Sequence, residues 1–76
     1  MQDLVACVAK ALVDNPDAVR VEVVKGEGVT VYELHVANDD LGKVIGKSGR
    51  TAEALRTILH AASIKMGVRS RLEIVE

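Results

Sequence analysis

A pair of glycines three positions apart, Gly46 and Gly49, is the feature of this 76-residue chain that most restricts how its segments can meet. They lie in the stretch VIGKSGR, residues 44–50, with branched apolar residues in front and a helical pattern behind. Because glycine has no Cβ, the backbone at such a turn can lie very close to a ligand. The turn also directs the N–H groups of a helix start, together with Lys47 and Arg50, towards that ligand. Phosphate is the ligand that fits this arrangement.

Apolar periodicity divides the rest of the chain into helical and extended segments. Residues spaced three and four apart predict helices, whereas strict alternation predicts strands. The first helix is expected to end at Asn15-Pro16, because the residue before a proline avoids the helical conformation. The predicted order is then strand 18–25, hairpin turn 26–28, strand 29–37, short helix 41–45, the glycine turn, long helix 50–66 and strand 70–75.

The long helix carries the clearest apolar stripe. We expect this stripe to face the core, and its members are Ala52, Leu55, Ile58, Leu59, Ala62 and Met66. Gly67 follows at the position of a helix-ending residue. Leu72 and Ile74 are expected to point inward from the last strand. The polar segment Asn38-Asp39-Asp40 is expected to cap the short helix.

The size and composition indicate one small globular domain spanning residues 1–76. Hydrophobic residues make up 49% of the chain and charged residues 28%, which is typical of a folded chain rather than a disordered one. The single cysteine, Cys7, cannot form an internal disulfide. No secretion leader and no membrane-spanning run is recognised, so we expect a cytoplasmic protein without membrane association.

The net charge of −1 conceals an uneven distribution of charge along the chain. Residues 1–39 hold three basic and seven acidic residues, a net charge of −4. Residues 40–71 hold seven basic and two acidic residues, a net charge of +5. The basic residues therefore cluster around the glycine turn, which favours a polyanionic partner.

Three interpretations of the turn compete. A nucleoside-triphosphate loop would need a glycine at position 41, where the chain has Leu41, and the turn does not follow directly from a strand. A purely structural corner between two helices is the plainest interpretation of a Gly-x-x-Gly pair taken alone. The third interpretation, a nucleic-acid-binding turn, depends on the surrounding order of elements and on the basic residues. No paired carboxylates and no nucleophile with a base are apparent, so an enzyme is not expected and no cofactor is implied.

The segment GKVIGKSGRT, residues 42–51, closely resembles the signature of the KH domain. The predicted order αββααβ matches the type II KH arrangement, which implies an α+β fold with a three-stranded mixed sheet packed on one side by three helices. A single type II KH domain of this length resembles the bacterial KhpA (YlqC) family. That resemblance implies a cytoplasmic, non-catalytic protein that binds single-stranded RNA, as an RNA chaperone or post-transcriptional regulator linked to cell shape and division.

The resemblance also implies which residues bind RNA. KH domains hold about four nucleotides against the Gly-x-x-Gly loop. The loop and its flanks would contact the sugar-phosphate chain, while an aliphatic groove between the helices and the second strand would receive the bases. The candidate residues are Lys43, Val44, Ile45, Gly46, Lys47, Ser48, Gly49, Arg50 and Ala52, with Leu34, His35 or Val36 opposite. The core is the alternative location for Val44 and the favoured one for Leu55. Because Ala52 is small, we expect a shallow groove with weak, poorly sequence-specific binding.

A protein partner is the second expectation. Ala54, Ala61 and Ile64 extend the apolar surface of the long helix beyond one buried stripe. We expect this surface to form a homodimer, or a heterodimer with a larger KH protein of the KhpB/Jag type, which the family resemblance implies. The alternative function is therefore a protein-interaction module with a weak or vestigial RNA groove. Neither His35 nor His60 has a metal-spaced partner in the sequence, so no metal site is expected.

Overall fold

The computed structural model describes residues 2–75, which form three α-helices and one three-stranded sheet. The elements in chain order are α1 (Gln2–Leu12), β1 (Arg20–Gly26), β2 (Val29–His35), α2 (Leu41–Ile45), α3 (Arg50–Met66) and β3 (Ser70–Val75). Short 3-10 turns occupy Pro16–Ala18, Asn38–Asp40 and Lys47–Gly49. The order αββααβ and the α+β class are confirmed. None of the helices within residues 2–75 is long and apolar enough to cross a membrane.

The sheet is mixed, with β2 in the centre. β1 pairs with β2 antiparallel through a tight hairpin, and β2 pairs with β3 in parallel, so that Leu34 lies beside both Val21 and Ile74. Because side chains alternate along a strand, Val21, Leu34 and Leu72 share the face that the helices cover. The core consists of aliphatic residues from that face and from all three helices, namely Val5, Ala9, Val21, Leu34, Val44, Leu55, Leu59 and Leu72.

The buried stripe of α3 differs from the prediction at three positions. Ala52, Leu55 and Leu59 are buried as expected, but Ile58 and Met66 are 48% and 63% exposed. The fourth turn instead buries Ser63, which is 2% exposed and donates its hydroxyl hydrogen to the carbonyl oxygen of Leu59 at 2.7 Å. Ser63 is compatible with the core because this bond satisfies its hydroxyl within the helix. A prediction from apolarity alone therefore included the exposed Ile58 and Met66 in the buried stripe and left out Ser63.

Asp40 is a buried connector rather than a helix cap. Its side chain makes no capping hydrogen bond to α2 and has no exposed surface. It accepts hydrogen bonds from the N–H groups of Asp14 at 3.2 Å and Asn15 at 3.0 Å, and from the Asn15 side chain at 2.9 Å. The predicted cap is wrong because these donors, about 25 residues earlier in the chain, take both carboxylate oxygens. Asp40 thus ties the end of α1 to the start of α2.

Candidate nucleic-acid interface

The turn between α2 and α3 has an unusual backbone over four residues. Gly46, Ser48 and Gly49 all have positive φ angles, at 78°, 58° and 75°. Gly46 combines its φ with a ψ of 172°, a region that is essentially restricted to glycine. Ser48 is the only described non-glycine residue with positive φ. The chain therefore reverses within Gly46–Gly49 and presents this backbone at the surface.

The two glycines serve different purposes. A Cβ built on Gly46 would lie 2.2 Å from the Thr51 Oγ1 atom and 2.8 Å from the Thr51 backbone nitrogen, so the first turn of α3 already occupies that space. A Cβ on Gly49 would meet nothing within 4 Å. Gly46 is thus required for internal packing, whereas Gly49 faces open space where a ligand can approach. Thr51 is a site residue that the sequence analysis did not identify, because only the close contact reveals it.

Free donors and cations meet at this turn. The Gly49 and Arg50 N–H groups bond to the carbonyl oxygens of Gly46 and Lys47. No backbone or side-chain acceptor within residues 2–75 takes the N–H groups of Lys47 or Ser48. The Lys47 and Arg50 side chains are exposed and pair with no acid in the described part of the chain. The helix dipole of α3 adds positive potential at the same place, which suits a phosphate.

Lys43 differs from the other predicted cations because it is already paired. Its ammonium group bonds to the Asp14 carboxylate and lies 3.7 Å from the Asp40 carboxylate. The hydrogen bond to Asp14 raises the pKa of Lys43 above its ordinary value, against the opposing effect of burial. Two nearby acids therefore offset much of the Lys43 charge that the sequence analysis assigned to RNA.

Two predicted groove residues belong to the interior. Val44 has no exposed surface and lies in the core cluster, and Ala52 is only 4% exposed. Leu34 is also fully buried. Their side chains are therefore packed inside the free protein, and their contact with a base stays a prediction. Ile45 remains half-buried beside the turn, as expected of a residue that both packs and lines a surface.

β2 is the central strand of the sheet, so its neighbours on both sides occupy its hydrogen-bonding edges. His35 alternates with the buried Leu34 and therefore lies on the face away from the helices, while the half-buried Val36 packs against the core. The contact of His35 or Val36 with a base stays a prediction.

The groove that the structure does contain runs between α3 and β3. It encloses a cavity of about 480 Å³ whose walls are Arg56, Leu59, His60, Ser70, Arg71, Leu72 and Glu73. Arg56, in the second turn of α3, lies six residues after Arg50, or about 9 Å along the helix axis. None of the residues predicted from the sequence to bind RNA lines this cavity. The cluster of basic residues over 40–71 is the sequence feature that indicates this region of α3 and β3.

β3 is an edge strand, and its outer edge faces this groove. The Nε–H group of Arg56 donates to the Leu72 carbonyl oxygen at 3.4 Å, so Leu72 directs its backbone groups away from β2. Because backbone direction alternates along a strand, Ser70 and Ile74 do the same. These outward N–H and C=O groups can hydrogen-bond a ligand without any aromatic platform.

A separate cluster lies on the uncovered face of the sheet. Glu22 and Glu33 are directly opposite across β1 and β2, and their carboxylates come within 4.8 Å of the His35 imidazole. The cross-strand register creates this cluster, which spacing in the sequence could not reveal. Arg20 pairs with Glu22 at 3.1 Å, so the local charge is already partly balanced. The cluster lies on the opposite face of the sheet from the helices.

The chain is similar to known proteins over nearly its whole length. The family model described as KhpA/KhpB, KH domain, matches residues 2–74. The chain belongs to the KhpA/KhpB KH-domain family. It is 52% identical over 75 residues to the RNA-binding protein KhpA of Caldanaerobacter subterraneus subsp. tengcongensis, covering 99% of this chain and 100% of the relative. It is 55% identical over 76 residues to the RNA-binding protein KhpA of Aquifex aeolicus, covering 100% of this chain and 96% of the relative. No solved structure matches the chain.

Membership of the KhpA/KhpB family confirms the KH fold expected from the glycine turn. The family is non-enzymatic, which confirms that the chain is not an enzyme. Another relative, the RNA-binding protein KhpA of Chlamydia pneumoniae, is 46% identical over all 76 residues of this chain and 97% of its own length. The resemblance therefore extends over the whole KH domain and not only its turn.

Proposed function

We propose that this protein is a single KH domain that binds single-stranded RNA without catalysis, through the Gly46–Gly49 turn and the adjoining α3–β3 groove. The observation that carries the proposal is the open side of Gly49, where unpaired N–H groups and the cations Lys47 and Arg50 converge. RNA is favoured as the ligand because the family relatives are named RNA-binding proteins.

The contacts divide into two kinds. At the turn, backbone donors and cations would hold phosphates, which fixes the position of the strand but reads no sequence. Along the groove, Arg56 and His60 would offer flat, polar groups to the bases, and the outer edge of β3 would offer backbone donors and acceptors. The floor residues Leu59 and Leu72 are 2% and 5% exposed, so little apolar surface is available to a base. Weak binding with little sequence preference follows.

The test is a double substitution in the turn, Lys47→Asp together with Ser48→Asp. Both side chains are exposed, and aspartate is among the residues that tolerate the positive φ of Ser48. The variant should keep its thermal unfolding temperature but lose at least about tenfold in affinity for a uridylate oligonucleotide, since two acids would repel the phosphates. Fluorescence anisotropy measures this affinity.

A control places a comparable charge change elsewhere. Lys10 is exposed on α1, outside the turn and the α3–β3 groove, and Lys10→Glu changes the net charge by −2, against −3 for the turn variant. This control should bind RNA like the wild type. Retained affinity in the turn variant, or an equal loss in the Lys10 variant, would contradict the assignment of the turn.

The wider biological role rests on the resemblance to the KhpA family alone. It supports a role as an RNA chaperone or post-transcriptional regulator in the cytoplasm, linked to cell shape and division. Comparing crosslinked RNA recovered from cells that carry the wild type or the Lys47/Ser48 double variant tests this role. Recovery of the same RNAs with both would contradict it.

A second candidate function is pairing with another copy of this chain or with a larger KhpB/Jag-type protein. The observation that favours it is the exposed apolar surface of α3, where Ile58, Ile64 and Met66 are 48%, 66% and 63% exposed. Ala61 lies on the outer side of the same helix. If a second copy covers this surface, Ala61→Glu should reduce the solution mass from dimer to monomer in sedimentation experiments. A wild type that stays monomeric at high concentration would contradict self-association.

A further inference from the structure

The α3–β3 groove continues beyond the cavity beside Arg56. Along the second half of α3 it opens into a larger cavity of about 610 Å³, between the helix, the 67–69 link and the tip of the β1–β2 hairpin. His60, Ser70 and Arg71 line both cavities. The two spaces are therefore parts of one groove, which runs along α3 from Arg56 towards the C-terminal end of the helix.

The second cavity combines an apolar wall with cations. Ile64 and Val68 are 66% and 47% exposed and lie in its wall, as do Arg69 and Arg71. Arg69 makes no ion pair within residues 2–75, whereas Arg71 pairs with Glu73 at 3.1 Å. Apolar side chains can receive the face of a base, and guanidinium groups can bind phosphate or stack. Glu27 at the hairpin tip is the one acid in this wall.

Ser70 provides an independent indication of a ligand. Its hydroxyl oxygen is buried and has no hydrogen-bond partner among the described residues, and it lies where the two cavities join. Buried polar groups are nearly always hydrogen-bonded. An unpaired hydroxyl beside a groove therefore indicates that a ligand in the groove supplies the missing partner.

We propose that the bound strand continues past the four nucleotides held by the turn, and that at least one further nucleotide occupies the second cavity. Its base would lie on Ile64 and Val68, and its phosphate beside Arg69. This inference rests on the proposed function, because the second cavity continues the same groove. It predicts that the length of strand contacted exceeds the usual KH footprint of about four nucleotides.

The experiment compares labelled uridylate strands of four and six nucleotides at one salt concentration. A six-nucleotide strand offers three positions to a four-nucleotide site, so register alone gives a gain of about threefold. The wild type should instead gain about tenfold or more, as one added base contact provides. The variants Ile64→Ser and Arg69→Glu should bind the four-nucleotide strand as the wild type does. On the six-nucleotide strand they should lose the part of the affinity gain that exceeds the effect of register. The charge-matched control Lys10→Glu should keep it.

Several outcomes would overturn the inference. These are a wild-type gain of only about threefold, unchanged gains in both variants, or equal losses at both lengths. If Ile64→Ser instead converts a dimer into a monomer and leaves the length gain intact, the surface is a protein interface. Absence of wild-type binding at both lengths would contradict the proposed function itself, and the Lys47/Ser48 double variant should show that pattern.

Discussion

Gly46 is held in its conformation by the fold, before any ligand binds. The first turn of α3 places Thr51 against it, so that no room remains for a Cβ. Gly49 has open space on its corresponding side, and Ser48 between them accepts a positive φ of 58°. The conformation of the turn is therefore set by packing on one side, while the other side remains open.

This difference predicts unequal costs for two alanine substitutions. In Gly46→Ala, the alanine would have to adopt a backbone conformation that is restricted to glycine, and its Cβ would clash with Thr51. We therefore expect a loss of roughly 3 kcal/mol or more in the free energy of unfolding. Gly49→Ala adopts a left-handed conformation without a clash and should cost about 1 kcal/mol. Urea unfolding measures both values. Equal costs for the two variants would contradict the separate roles.

The interaction of Asp40 with Asp14 and Asn15 links two helices that are distant in sequence. Burial raises the pKa of a carboxyl group, but the hydrogen bonds from Asn15 and Asp14 and the charge of Lys43 outweigh it, so the pKa of Asp40 lies below its ordinary value. Because the folded state holds the proton less tightly than the unfolded state, this interaction stabilises the fold above the ordinary aspartate pKa. The stabilisation is lost as the pH falls through the lowered pKa of Asp40.

Replacement by an amide tests this link between helices. Asp40→Asn keeps one acceptor oxygen but directs an NH2 group at donors, so we expect the unfolding temperature to drop by on the order of 10 °C at pH 7. The difference in unfolding temperature between variant and wild type should narrow as the pH is lowered below about 4, because the unfolded wild type gains a proton there while folded Asp40 stays ionised to lower pH. Asp39→Asn, at an exposed neighbouring position, is the control. A gap that stays constant with pH would contradict the account.

At the scale of elements, the features that depend on neighbouring residues were predicted from the sequence better than the features that depend on distant contacts. The limits of α3 at Arg50 and Met66 are confirmed, because its periodicity and Gly67 mark them locally. The buried face was misplaced at Ser63, since a serine that bonds its own helix looks polar in sequence. The role of Asp40 depends on donors about 25 residues away and has no local signature.

Over the whole molecule, acidic residues predominate in residues 1–39 and basic residues in residues 40–71. The surplus of cations over residues 40–71 surrounds the turn and the groove, although the net charge of the chain is only −1. The location of the groove could not be predicted from sequence, because it depends on β2 being central and β3 lying beside α3. The turn itself was recognised from its residues, whereas the burial of Val44 and Ala52 depends on how the helices pack in the fold.

The charge distribution predicts the salt dependence of RNA binding. If Lys47 and Arg50 each contact a phosphate, the plot of log affinity against log salt concentration should have a slope of about −1.4. Lys47→Ala should reduce its magnitude by about 0.7, because one fewer counterion is released. Lys10→Ala should leave it unchanged. A slope near zero in the wild type would contradict phosphate binding.

The most direct test of the central claim is to map the backbone amide resonances that shift when a six-nucleotide uridylate is added to the labelled protein. We predict the largest shifts at Lys47–Thr51, at Arg56 and at Ser70–Ile74, where the turn and the groove meet the strand. Glu22, Glu33 and His35, on the uncovered face of the sheet, should not respond. Dominant shifts on that face, with an unaffected turn, would contradict the account.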